Sequence, residues 1–202
     1  MQISLTTHDD WGLSWIAAEP AHMQRGSHAL AHRGGVWLVD AVDGEGLAER
    51  IAALGKVRGV IQLMDRHPRD CAALADRYGV PHHLLPRTAV PGTPFTAIVL
   101  ANRPWWREVA LWWPERRALI VAEAVGTAPY YLAAGQRIGL HPLMRLTPPA
   151  KLRRHEPEHL LPGHGPAVSG TGVAADLRRA ITHSVRDIPG VLGAMVRGRR
   201  AA

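Results

Sequence analysis

The sequence is poor in three residue types: it has one cysteine, one phenylalanine and, among its 24 basic residues, only Lys56 and Lys151 as lysines. A lone Cys71 cannot close an internal disulfide and leaves no multi-cysteine zinc motif, so any metal site must be assembled from His, Asp and Glu. No apolar run approaches the roughly 18–20 residues that a membrane helix needs, and the first turns of chain carry Asp9 and Asp10 where a secretory leader would be basic and then greasy. These absences predict a cytoplasmic protein without a membrane partner. Several catalytic signatures are also missing. No serine lies in G-x-S-x-G, and neither G-x-x-x-x-G-K-[ST] nor H-E-x-x-H occurs, which removes the motifs of nucleophile-elbow hydrolases, P-loop nucleotidases and zincins.

What is present describes a globular protein. With 202 residues, 47% of them apolar and 20% charged, and a mean hydropathy of -0.08, the chain can bury a sizeable core. The net charge of +7 suggests nucleic acid only until its position is considered. Arg178, Arg179, Arg186, Arg197, Arg199 and Arg200 face only Asp176 and Asp187 near the C-terminal end, and no basic and aromatic residues alternate along a strand. A nucleic-acid partner is therefore not expected, whereas a small-molecule partner is. The expected organisation is one domain over residues 1–190 and a basic, frayed tail over 191–202, and removal of 190–202 should leave the thermal midpoint within about 2 °C.

Residues 2–6, 13–17 and 27–31 are β-compatible, and Arg33-Gly34-Gly35 is a turn leading into the strand 36–39. Leu47, Ile51 and Leu54 mark one face of a helix closed by Gly55, and a buried strand follows over 57–63. Pro68 opens a second helix over 69–78, so residues 36–85 alternate strand and helix. Strands over 95–100, 108–113 and 118–122, a broken helix over 142–154, a strand over 157–161 and an amphipathic helix over 173–185 complete the expectation.

The order of several motifs now becomes informative. Asp40 closes a strand. The strand Val60-Ile61-Gln62-Leu63 runs into Met64-Asp65-Arg66-His67-Pro68-Arg69-Asp70, and the loop Val90-Pro91-Gly92-Thr93-Pro94 follows. The chain later passes through Val121-Ala122-Glu123 and Leu161-Pro162-Gly163-His164-Gly165. Together these segments resemble the metallo-β-lactamase superfamily. The resemblance implies an α/β (α+β) architecture, a four-layer αββα sandwich of two mixed β-sheets, with a metal site where loops from both halves meet at one edge. It implies ligands at the positions of H-x-H-x-D-H, which here read Asp65, His67, Arg69 and Asp70, so only His67 keeps its residue. A further histidine is missing beside Pro91-Gly92, an aspartate is replaced by Glu123, and the last histidine is His164. Asp40 falls behind the ligands.

Arg69 reverses the sign of a ligand. Its guanidinium stays protonated and opposes a dication. Two arrangements follow. Arg69 either bridges Asp65, Asp70 and Glu123 as a cation in place of metal, or turns away and leaves His67, Glu123, His164 and an aspartate for one ion. The expected cofactor is accordingly none, or one divalent metal of the Zn, Mn or Fe type. Trp105 and Trp106 in a turn, with Tyr130 and Tyr131 where substrate loops cross in such a fold, are candidate pocket walls. The implied function is a metallohydrolase-type protein with a degraded site and little dinuclear zinc activity; the alternatives are a mononuclear hydrolase of a small ester, amide or thioester, and a binding protein.

Overall fold

The computed structural model describes residues 2–17, 24–67 and 69–193. Six strands form the first sheet in chain order: β1 (Ile3–His8), β2 (Gly12–Ala17), β3 (Gly26–His32), β4 (Gly35–Val39), β5 (Lys56–Gln62) and β6 (His82–Leu84). The first four pair antiparallel. β4, β5 and β6 run parallel, which requires crossovers, and the helices α1 (Leu47–Leu54) and α2 (Cys71–Tyr78) supply them. Leu47 and Ile51 of α1 and Cys71, Leu74 and Ala75 of α2 pack on Trp15, Ala29, Leu38 and Val60, closing one face of this sheet.

The second sheet has the order β13-β12-β9-β8-β7, built from β7 (Thr96–Arg103), β8 (Trp106–Trp113), β9 (Ala118–Val121), β12 (His159–Pro162) and β13 (Val168–Ser169). β10 (Val125–Gly126) and β11 (Gly139–Leu140) form a separate antiparallel pair. Leu30, Trp37, Val39 and Ile61 of the first sheet, with Leu63 just beyond β5, join Leu111, Leu119, Val121 and Leu160 in one core, which extends to Val173, Leu177 and Ile181 of α3 (Val173–Thr182). Helix, sheet, sheet and helix make the expected four-layer αββα sandwich of two mixed sheets. No helix among the described residues is long and apolar enough to cross a membrane.

Several boundaries differ from the sequence reading, and three of them bear on the site or the core. α2 begins at Cys71 because Arg69 has φ 51, in the left-handed region, and cannot be helical; Pro68, expected in the first turn, lies outside the described residues. β8 begins at Trp106 because Arg103 pairs directly with Trp106 across a tight turn, which buries that indole and leaves Trp105 half exposed. α3 stops at Thr182, and Ser184 in the following turn accepts a hydrogen bond from Arg145 through its carbonyl.

Helical structure resumes over 188–193, and Val191 is buried. The chain is therefore docked beyond residue 190. Removing 190–202 is now expected to lower the thermal midpoint by several degrees, since a buried valine contributes about 1.5–3 kcal/mol and each kcal/mol is worth roughly 2–4 °C at this size. Thermal unfolding of a chain ending at Pro189 checks this, and an unchanged midpoint would restore the frayed-tail expectation.

Candidate metal centre

Each principal residue follows the C-terminal end of a strand. β9 and β12 are parallel neighbours with Val121 opposite Pro162, so Glu123 and His164, each two residues beyond those partners, emerge side by side. The turn carrying His164 needs both of its glycines. A Cβ on Gly163 would stand 2.2 Å from the Ala122 carbonyl oxygen, and Gly165 has φ +91. His67 arrives from the first sheet on the loop after β5. That loop is fastened to the second sheet by the Met64–Glu108 bridge and by the Val109 amide donating to the Leu63 carbonyl at 2.9 Å.

The result is one compact cluster. Single ligand atoms of His67, Glu123 and His164 all lie within 4.8 Å of one another. His67 Nδ1 is 3.3 Å from Glu123 Oε2, and the two imidazole rings are 5.7 Å apart between centroids. Burial, aided by the fields of Arg69, Arg66 and Arg25, pushes the His67 pKa down to about 4, so its imidazole is neutral at pH 7 and has a lone pair to offer. Glu123 is pushed up to about 7, first by burial and then by the neighbouring Glu108 carboxyl, against the attraction of Arg66 and Arg69.

His141 was not singled out from sequence, yet it completes this cluster. It follows β11, whose pairing with β10 places it beside Ala124, and its backbone amide donates to the Ala124 carbonyl at 3.1 Å. Its Nδ1 accepts the Leu143 amide at 3.2 Å, which puts the ring proton on Nε2, 3.3 Å from Glu123 Oε1. His141 is thereby a donor that orients Glu123 and not a fourth ligand. Tyr131 is buried with its ring nearly parallel to that of His164, 5.9 Å away, and Tyr130 lies 5.6 Å from His141. Trp106 packs 5.0 Å from His141 beneath the Arg66 guanidinium, which sits 4.6 Å above its ring, while Trp105 stands further out under Arg103.

Three expected residues are placed elsewhere. Asp65 pairs with Arg107 at 2.7 Å. Asp70 precedes α2 and accepts the Asp43 amide at 2.8 Å. Arg69 bridges none of the carboxylates: its guanidinium turns inward beneath the strand ends and donates to the carbonyls of Gly26, of Asp40 at 2.9 Å and of Gly163 at 2.7 Å. The left-handed backbone at Arg69 takes the side chain into this position, which spacing in the motif could not reveal. Asp40 follows β4, its Oδ1 accepting the Leu63 amide at 2.8 Å.

The donor set can be tested against a metal. Glu123 Oε2 is buried and has no hydrogen bond among the described residues, although Arg66 approaches to 3.6 Å. Ligand atoms on a tetrahedral zinc at about 2.1 Å stand ~3.4 Å apart, so the His67–Glu123 pair already matches and small side-chain rotations would bring in His164. Two imidazoles and one carboxylate fit a single ion.

No protein-family model matches the sequence, and no curated protein matches it either. Solved structures do match. A metallo-beta-lactamase from Pontibacter korlensis superimposes with a TM-score of 0.61 at 12% identity over 90% of this chain and 99% of that one. The chain has the metallo-β-lactamase fold. The DIM-1 metallo-beta-lactamase gives a TM-score of 0.61 at 10% identity over 92% and 98% of the two chains. FIM-1 from Pseudomonas aeruginosa, in its mono-zinc form, gives 0.58 at 10% identity over 93% and 97%.

Proposed function

We propose that this metallo-β-lactamase-fold protein holds a single divalent cation on His67, Glu123 and His164 and acts as a mononuclear hydrolase of a small ester, amide or thioester, without dinuclear zinc chemistry. The observation that carries the reading is the buried, unbonded Glu123 Oε2 beside the two imidazoles, while Arg69 is occupied by backbone carbonyls. A second ion finds no support, because Asp65 and Asp70 are engaged elsewhere and a buried guanidinium stands behind the cluster. FIM-1 supports the idea that this fold can accommodate one zinc.

When bound, such an ion polarises a substrate oxygen as a Lewis acid and lowers the pKa of water toward about 7. The remaining work falls to the chain. The His141 Nε2 proton holds Glu123 Oε1 and so leaves Oε2 facing the two ligand histidines. Arg66, partly exposed, can swing outward when Oε2 is engaged. Tyr131 keeps water from one side of His164. Of the two rings of the Trp105-Trp106 pair, only Trp105 offers exposed apolar surface to a substrate.

Zinc titration against a chromogenic chelator tests the reading. Wild type should bind about one equivalent, and His164→Ala should bind at least about 100-fold more weakly, roughly 3 kcal/mol. Hydrolysis of chromogenic esters should stop with chelator and return with zinc. A wild type that binds no zinc, or two equivalents tightly, would overturn it.

A further inference from the structure

Glu108 lies on β8 between Trp106 and Ala110, residues of the apolar core, and is 0% exposed. An apolar side chain would be the ordinary occupant there, because an ionised carboxyl in the interior is costly unless its oxygens are fully bonded. They are. Oε1 accepts the amides of Glu123 at 2.8 Å and Ala124 at 2.9 Å, and Oε2 accepts the Ala124 amide at 3.0 Å and the Trp106 indole Nε1 at 2.8 Å. Every neighbour is an N–H donor, so the ionised, acceptor-only form suits the geometry.

What those bonds hold matters more than their number. Two of the donors are the backbone of the candidate ligand Glu123 and of the residue after it, and a third is the ring beneath Arg66 and beside His141. The backbone of Glu108 itself bridges to Met64, three residues before His67. One buried residue thus ties together the loops carrying His67 and Glu123, which come from different sheets: its carboxylate holds the Glu123 loop and its backbone the His67 loop.

We propose that Glu108 is a positioning residue that fixes the Glu123 backbone, and with it the separation of Glu123 from His67, at the geometry a metal ion requires. This inference rests on the single-ion reading above. Residues behind metal ligands typically govern affinity by about 10–100-fold.

The test compares zinc affinity with backbone protection. In Glu108→Gln the amide can keep its oxygen toward Glu123 and Ala124, but its NH2 then meets the Trp106 N–H, donor against donor, while the Ala124 N–H, shared between both oxygens, keeps the amide oxygen as its acceptor. Zinc affinity is expected to fall at least tenfold, with faster hydrogen exchange at the Glu123 and Ala124 amides. Removing the opposing donor in Trp106→Phe/Glu108→Gln should recover affinity to within about threefold of Trp106→Phe alone. Loss of stability alone would not produce that rescue. If Glu108→Gln does not fold, Glu108→Asp, which keeps the charge but withdraws the oxygens, should show the same paired loss. Variants that fold with unchanged zinc affinity and unchanged exchange at the two amides would overturn the proposal. If wild type takes no zinc, the metal reading fails separately, and amide exchange alone decides whether Glu108 fixes this loop.

Discussion

Arg69→Ala is expected to lower the thermal midpoint by roughly 6–20 °C, and added zinc should help the variant no more than it helps wild type. The guanidinium donates to three carbonyls from three segments: Gly26 at the start of β3, Asp40 at the end of β4 and Gly163 in the turn before His164. Truncation would take this donor from all three, leaving the Asp40 carbonyl with the Ser27 hydroxyl and the Gly163 carbonyl with the Gly26 amide. It would also strip the buried Asp40 carboxyl of its nearby cation; burial raises that group's pKa, while Arg69 and the Leu63 amide oppose the rise. Removing one partner of such a buried pairing costs about 3–5 kcal/mol, worth 2–4 °C each at this chain length. Arg69→Lys should fall between, since one ammonium cannot reach three carbonyls in a fork. Thermal unfolding of the three proteins in chelator and in zinc measures this. If zinc alone returned Arg69→Ala to the wild-type midpoint, the arginine would be a substitute for metal after all.

The sequence signalled some of these features and concealed others for identifiable reasons. The alternation of strand and helix over 36–85 follows from apolar spacing within single elements, so Leu47 and Ile51 could be assigned to a buried face directly. The glycines around His164 were equally legible, because their requirement is local: close approach at Gly163 and positive φ at Gly165. Arg69 was not, since a left-handed arginine has no spacing signature. Nor were His141 and Glu108. With 12 histidines in the chain, none is distinguished by its presence. His141 depends on the register of the two-residue strands β10 and β11, and Glu108 on a bridge between sheets.

Stability should also fall steeply as the pH drops below about 6.5, and His28 should account for a large share of that fall. His28 on β3 and His8 at the end of β1 are both buried, and the Ser14 hydroxyl lies between them, 2.8 Å from His28 Nδ1 and 2.6 Å from His8 Nε2. One hydroxyl proton can satisfy one ring while the other ring donates to the oxygen, so two neutral imidazoles fit and two imidazolium ions do not. Burial pushes His28 down to about 3, reinforced by His8 and Arg69 against the Pro162 carbonyl. It pushes His8 down to about 4, reinforced by His159 against Asp9. In the unfolded chain both titrate near 6.5. A depressed folded pKa means that the unfolded state takes up protons first. The contribution is therefore complete above pH 6.5 and is lost as the pH falls from there toward 4 and 3, at up to about 1.4 kcal/mol per pH unit for each group. Between pH 6.5 and 4.5 His28 alone should contribute a loss of up to about 3 kcal/mol, and His8, less deeply enclosed, somewhat less. Urea unfolding in chelator should show His28→Gln less stable than wild type at pH 7 but with a shallower decline below 6.5. Parallel curves for the two proteins would mean that His28 accepts its proton without resistance, and that the paired imidazoles are not held neutral by the fold.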